Sequence, residues 1–212
     1  MSEILTSPRP SRFGRALGFR VVSSGSAVPQ RVVTNADLGH LGCDPEWILS
    51  RSGIQERRHV DPGMATSDLA FQAAERALAA YPSRREEVDL LVLGTFTPDT
   101  SLPSTACIVQ EKLGLNAPAM DVTAACAGFA YALVTAGQFL ATGSSNLAMV
   151  IGVDTNSRVV NPADVKTWPL FGDGAGAVLL ERTEEKQEST GLLAWSLAVS
   201  YTHLTLPTKD SV

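Results

Sequence analysis

Cys126 is the residue of this sequence best placed to do covalent chemistry. It follows Asp121-Val122-Thr123-Ala124-Ala125, where a strand-like run ends, and precedes Ala127-Gly128-Phe129, where a long helical run begins. A sulfur at the head of a helix meets free backbone N–H groups and the positive end of the helix dipole, both of which favour thiolate over thiol. Thiolate is the nucleophilic form, and an ordinary cysteine with a pKa of about 8.5 holds only a few per cent of it at neutral pH. The chemistry on offer is attack on an electrophilic carbon, with the captured group held on sulfur. Cysteine is as common as a small core residue, and position alone leaves nucleophile and filler evenly balanced. Cys43 and Cys107 have no such setting and read as packing residues.

A second candidate is Gly172-Asp173-Gly174-Ala175-Gly176-Ala177, which fits the G-x-G-x-x-A form of a dinucleotide fingerprint. Its context argues against that use. Trp168-Pro169-Leu170 stands where a strand is needed, and the strand-like Val178-Leu179-Leu180 where a helix is needed. The segment is expected to be a turn whose missing side chains let another element come close. The three cysteines lie 64 and 19 positions apart, which fits neither a disulfide framework nor a zinc site. No cofactor and no metal is expected, and a reducing cytoplasm is the expected location. With 22 acidic against 17 basic residues, a formal charge of -5 and no basic stripe, nucleic acid is not an expected partner.

The elements that must hold these residues follow the pattern of an α/β protein. Strands are expected at Phe19–Ser23, Val88–Phe96, Ala119–Val122, Leu147–Val153, Val178–Leu180 and Gly191–Trp195, the last two as a hairpin or as neighbours. A helix opening at Thr66-Ser67-Asp68 puts Leu69, Ala73, Ala77 and Leu78 on one face. Asp44-Pro45-Glu46 starts a short helix with proline in its first turn, and 103–113 makes a third. Between Asp121 and Asp154 no residue is charged over 32 positions. Glycines and the Ser144-Ser145-Asn146 turn cut this run into a helix of about 16 residues and a strand, each too short to span a bilayer. No membrane span is expected. A helix apolar all round and rich in Ala and Gly is expected to be enclosed between two sheets. The composition, 44% hydrophobic and 18% charged over 212 residues, supplies the core this needs.

Taken in order, several segments resemble β-ketoacyl-[acyl-carrier-protein] synthase III, a condensing enzyme of the thiolase superfamily. They are Val33-Thr34-Asn35-x-Asp37-Leu38; Glu46-Trp47-Ile48-x-x-Arg51-Ser52-Gly53-Ile54-x-Glu56-Arg57; Pro103-Ser104-Thr105-Ala106; 121–129 around Cys126; and 170–177. The resemblance covers about residues 18–197. It implies a five-layer αβαβα architecture, of which this chain supplies the N-terminal βαβαβαββ half. It also implies that Cys126 is the catalytic residue. The cysteine would take an acyl group from acyl-coenzyme A, with its own backbone N–H helping to hold the oxyanion. A malonyl group on acyl carrier protein would then lose CO2 and condense with it, starting fatty acid synthesis. The resemblance further implies that Trp47, Arg51 and Phe171 contact substrate, that Leu102 lines the acyl pocket across a homodimer interface, and that acyl carrier protein is a partner. For Trp47 the residues alone also allow a core aromatic.

The resemblance departs at two places. Val165, beside Lys166, stands where many relatives carry a basic residue against the coenzyme A phosphate, which leaves acyl carrier protein as the alternative donor. The family's catalytic His and Asn have no match among His40, His59 and His203, so this chain alone is expected to be inactive in condensation. Related synthases of secondary metabolism, and a non-catalytic partner that binds acyl carrier protein, are the alternatives. Residues 1–17 read as a loose leader without a secretory core, 18–198 as the thiolase-like half, and 199–212 as a non-native tail with the C-terminal half absent. His203 in that tail is not read as a catalytic base.

Overall fold

In the computed structural model, which describes residues 12–183 and 190–197, the apolar runs become one sheet and the helical runs its two coverings. The elements in chain order are β1 (Arg12–Leu17), β2 (Phe19–Ala27), β3 (Arg31–Thr34), α1 (Pro45–Ser52), β4 (Glu56–His59), α2 (Thr66–Leu78), β5 (Leu90–Gly94), α3 (Thr105–Leu113), β6 (Ala119–Val122), α4 (Gly128–Thr142), β7 (Leu147–Thr155), β8 (Asp173–Arg182) and β9 (Gly191–Leu197). The main sheet has the order β2-β8-β7-β5-β6. β5 pairs in parallel with β6 and β7, and β8 runs antiparallel to both β7 and β2. Every residue of β5 is buried, as expected of a central strand covered on both faces.

Alternation along the strands divides the core in two. Leu91, Leu93, Met149, Ile151 and Leu179 pack against Leu69, Ala73, Ala77 and Leu78 of α2 and Val109 and Leu113 of α3. Leu90, Val92, Ala148, Val150 and Leu180 pack on the opposite face against Ala132, Ala136 and Leu140 of α4. Each fully buried leucine here contributes about 2 kcal/mol of burial free energy. Caps set the helix ends. Asp44 accepts from the Glu46 N–H at 3.3 Å, and α1 stops at Gly53, whose φ of 73° is left-handed. Asp68 accepts from the Ala65 N–H at 2.8 Å and pairs with Lys112 at 2.6 Å. Burial alone would raise the Asp68 carboxyl, but these partners hold it below its ordinary value.

Several expectations are corrected. Residues 12–17, placed in the leader, form β1, which pairs with β9; a Cβ on Gly14 would fall 2.5 Å from the Trp195 ring, so the missing side chain makes room for the indole. Residues 1–11 and the tail at 199–212 lie outside the described residues. β8 and β9 are not paired with each other. β8 is an inner strand of the main sheet and β9 belongs to a separate two-stranded one. The expected turn at 172–177 is the start of β8, because the small residues here sit in extended pairing with β7 and β2. A small β3–β4 pair joins the expected elements. Finally, α4 is not enclosed. One face lies on the main sheet, with Ala16 of β1 and Leu192 of β9 packed beside it, while Phe129, Ala130 and Gln138 are exposed, since among the described residues no further sheet covers that side. The 18 residues 125–142 are long and apolar enough by composition to cross a bilayer, longer than the roughly 16 expected; a third of them is buried, on the side that packs against the sheet.

Candidate active site

The bend that carries Cys126 is built where β6 runs out. β6 ends at Val122, a single 3-10 turn covers Ala125–Ala127, and α4 begins at Gly128. Ala125 adopts φ 43°, a left-handed conformation that costs a residue with a Cβ about 1–2 kcal/mol. The strain turns the chain sharply and leaves Cys126 exposed at the head of α4. No side chain caps α4 and its first turn contains no acidic residue. The Gly128 N–H is taken by the Ala125 carbonyl, and the positive end of the α4 dipole lies next to Cys126.

Glycine brings this bend down onto the sheet. Gly94, Gly152 and Gly176 lie directly opposite one another on β5, β7 and β8, all facing α4. A Cβ on Gly94 would fall 2.5 Å from the Gly128 carbonyl carbon, and one on Gly152 would fall 2.9 Å from the Phe129 Cβ. The head of α4 can rest on the strands only because these side chains are missing. Gly176 meets nothing within 4 Å, so the row opens there into a cleft of about 680 Å³. Cys126, Phe129, Asp154, Asn156, Gly172 and Ser26 are among its lining residues.

The segment after Leu170 is fixed from three directions. His59, buried, places its Nε2 3.2 Å from the Phe171 carbonyl oxygen and its ring edge-on to Trp168 at 4.7 Å. Asn156 Nδ2 donates to the Gly172 carbonyl at 3.0 Å. The buried Asp173 carboxylate accepts from the Val60 N–H at 2.7 Å and from the Ser157 N–H and Oγ at 2.9 and 2.5 Å. His59 thus has a structural partner and is not among the residues lining the cleft.

Cys126 and Gly172 share the cleft, whereas Trp47, Arg51, Leu102 and Phe171 are outside its lining. Trp47 and Arg51 stand one turn apart on the outward face of α1, and Trp47 is 53% exposed, so it is not a core aromatic. Leu102 is 87% exposed on the loop between β5 and α3. Phe171 is exposed at the cleft's edge, next to Gly172. α1 and the 168–171 turn are linked through the interior. Ile48 and Trp168 pack around Val33 and Leu38, and the buried Arg57 donates to the Asn35 Oδ1 and the Pro169 carbonyl, each at 2.8 Å. Burial pushes the Arg57 guanidinium below its ordinary value. Sequence reasoning missed the glycine row, the strained Ala125 and Asp154. The glycines were legible singly, but their alignment depends on strand register, and alanine gives no sign of a left-handed backbone.

Comparison with known proteins bears on the whole arrangement. The family described as 3-oxoacyl-[acyl-carrier-protein (ACP)] synthase III matches residues 120–198. A β-ketoacyl-[acyl-carrier-protein] synthase III of Rhodopirellula baltica is 53% identical over 178 residues, which are 84% of this chain and 52% of the relative. The crystal structure of a 3-oxoacyl-(acyl carrier protein) synthase III from Pseudomonas aeruginosa superposes with a TM-score of 0.76 at 40% identity, covering 83% of this chain and 55% of that one. A priming β-ketosynthase from the R1128 polyketide pathway does so with a TM-score of 0.76 at 32% identity, over 85% of this chain and 53% of that one. The chain spans about half the length of the curated relatives it matches.

Proposed function

Because the chain belongs to the 3-oxoacyl-[acyl-carrier-protein] synthase III family, we propose that it carries the nucleophile of an acyltransferase that performs a decarboxylative Claisen condensation. The observation that carries this reading is the exposed Cys126 sulfur, set on a strained bend at the uncapped head of α4 and opening into a cleft. In the first half-reaction the Cys126 thiolate attacks the thioester carbonyl of an acyl-coenzyme A. A sulfur–carbon bond forms to Cys126, the bond to the coenzyme A sulfur breaks, and coenzyme A leaves as its thiolate, which takes a proton from solvent. The Cys126 N–H faces the oxyanion that develops between these events, where a fixed donor is worth about 3 kcal/mol. In the second half-reaction malonyl-acyl carrier protein loses CO2, and the resulting carbanion attacks the acyl-cysteine, giving a β-ketoacyl product and freeing the sulfur.

Trp47 and Arg51 on the outward face of α1 are the proposed contacts for the adenine end of coenzyme A. Phe171 would line the approach to the sulfur, and Leu102 the acyl pocket of a second subunit in a cytoplasmic homodimer. The exposure of all four is compatible with those roles. The cleft lining includes Asn156 and, among the described residues, no histidine; the His and Asn of the second half-reaction are proposed to come from outside the described residues. Starting fatty acid synthesis is the first reading of the pathway. A related synthase of secondary metabolism is the second, favoured by the likeness to the polyketide priming enzyme.

Incubation with acetyl-coenzyme A followed by intact mass and peptide mapping tests the proposal. One acetyl group is expected on Cys126 and none on Cys126→Ala, with no condensation product from this chain alone. An adduct that persists in Cys126→Ala, or no adduct on the wild-type chain, overturns the nucleophile and favours a non-catalytic carrier-binding role.

A further inference from the structure

We infer that Asp154 is a positioning residue for Cys126, acting through the Thr95-Phe96-Thr97 turn; the inference rests on the reading of Cys126 as the acylated nucleophile. Asp154 stands at the end of β7 and lines the cleft. Its Oδ1 accepts three hydrogen bonds from three consecutive residues: the Thr95 Oγ1 at 3.0 Å, the Phe96 N–H at 2.9 Å and the Thr97 Oγ1 at 3.1 Å. One further bond closes the turn on itself and two bind it to its surroundings. Thr97 N–H donates to the Thr95 Oγ1 at 3.1 Å, Thr155 N–H donates to the Thr97 Oγ1 at 2.9 Å, and Thr66 Oγ1 donates to the Thr97 carbonyl at 2.5 Å.

The backbone at residues 94 and 95 then borders both arms of the cysteine bend. The Thr95 N–H donates to the Val122 carbonyl at 3.2 Å, on the arm entering the bend. On the arm leaving it, a Cβ built on Gly128 would lie 3.6 Å from the Thr95 nitrogen and 3.5 Å from the Gly94 carbonyl carbon. Cys126 lies between these two anchors, next to an Ala125 whose φ of 43° persists only where the surroundings over-determine it. A carboxylate bound to three donors makes a stiffer clamp than neutral groups could, because its bonds are charge-assisted. Asp154 therefore fixes the direction of the Cys126 N–H and sulfur without touching the substrate.

The test is the rate of Cys126 acetylation by acetyl-coenzyme A, followed by mass across a range of coenzyme A thioester concentrations. Asp154→Ala and Thr97→Val are each expected to lower the maximal rate about tenfold or more, since small misplacements of reacting groups are costly. The half-saturating concentration should stay within about twofold, and alkylation of Cys126 by iodoacetamide, which needs no oxyanion donor, within about threefold. Asp154→Asn keeps an acceptor oxygen but loses the charge, and should recover part of the rate, falling between Asp154→Ala and wild type. Wild-type acetylation rates in both Asp154→Ala and Thr97→Val overturn the inference. So does a parallel acceleration of alkylation at Cys43 and Cys107 in both, which would show general loosening. A wild-type chain that takes no acetyl group overturns the proposed function and this inference with it, and is told apart because it involves no variant.

Discussion

Ala125 holds a backbone angle that its own side chain disfavours, and the chain accepts this next to the one cysteine exposed among the described residues. Replacing it with glycine removes the Cβ clash and adds some backbone freedom to the unfolded chain, so the two effects oppose. The clash is the larger, and Ala125→Gly is expected to raise unfolding free energy by roughly 0.5–1 kcal/mol in thermal or urea melts. A loss of stability would show that the bend is unstrained. At this scale the sequence was most informative about Cys126, whose place between a strand end and an apolar helical run could be read directly. It was least informative about Asp154 and Asp173. Asp154 closes the charge-free run and Asp173 sits in a glycine-rich motif, but neither shows which N–H groups it will receive until β5, β7 and β8 are laid side by side and β4 is set against β8.

Among the elements, those with one dominant periodicity were legible and those without were not. The face of α2 at Leu69, Ala73, Ala77 and Leu78 is buried as its spacing predicts. β3 and β4 escaped because β4 turns Arg57 and His59 inward, and a pattern of apolar and polar residues cannot mark such a strand. The seat of α4 gives a sharp test. Gly94→Ala puts a methyl 2.5 Å from backbone and is expected to cost about 2–3 kcal/mol, while Gly176→Ala enters open space and should stay within about 0.5 kcal/mol of wild type. Equal effects in urea melts would mean that α4 does not rest on the sheet at Gly94. The β2–β8 edge gives a pH test. Burial raises the Glu181 carboxyl, but hydrogen bonds from Arg20 at 2.7 Å and Arg84 at 2.6 Å outweigh it and hold it below its ordinary 4.5. A lowered carboxylate contributes stability above pH 4.5 that is lost as pH falls through the folded-state value. Glu181→Gln should therefore be less stable than wild type near pH 6 and show a flatter loss between about pH 5 and pH 3. A parallel pH curve for the two proteins would count against the pairing.

For the molecule as a whole, the outer side of α4, exposed at Phe129 and Ala130 and partly exposed at Tyr131 and Leu133, carries the main consequence. Only a third of residues 125–142 is buried. A contiguous apolar surface of this kind promotes association, so sedimentation of this chain should show concentration-dependent self-association and strong binding of a hydrophobic dye. A monodisperse monomer that binds no dye would contradict this. The enclosure expected from the sequence was a sound inference about what the composition of α4 requires, and the described residues supply half of it. The row formed by Gly94, Gly152 and Gly176 has one more consequence. β5 and β7 are apolar on both faces, so greasy residues would be satisfied whichever way either strand slid, and hydrophobicity is a weak guide to alignment. A slip of one position by any of the three would push Leu93, Ile151 or Ala177 under the helix in place of a bare backbone. The notch is therefore a vernier: it reads correctly only when three strands are aligned at once, and the helix can seat only after they are.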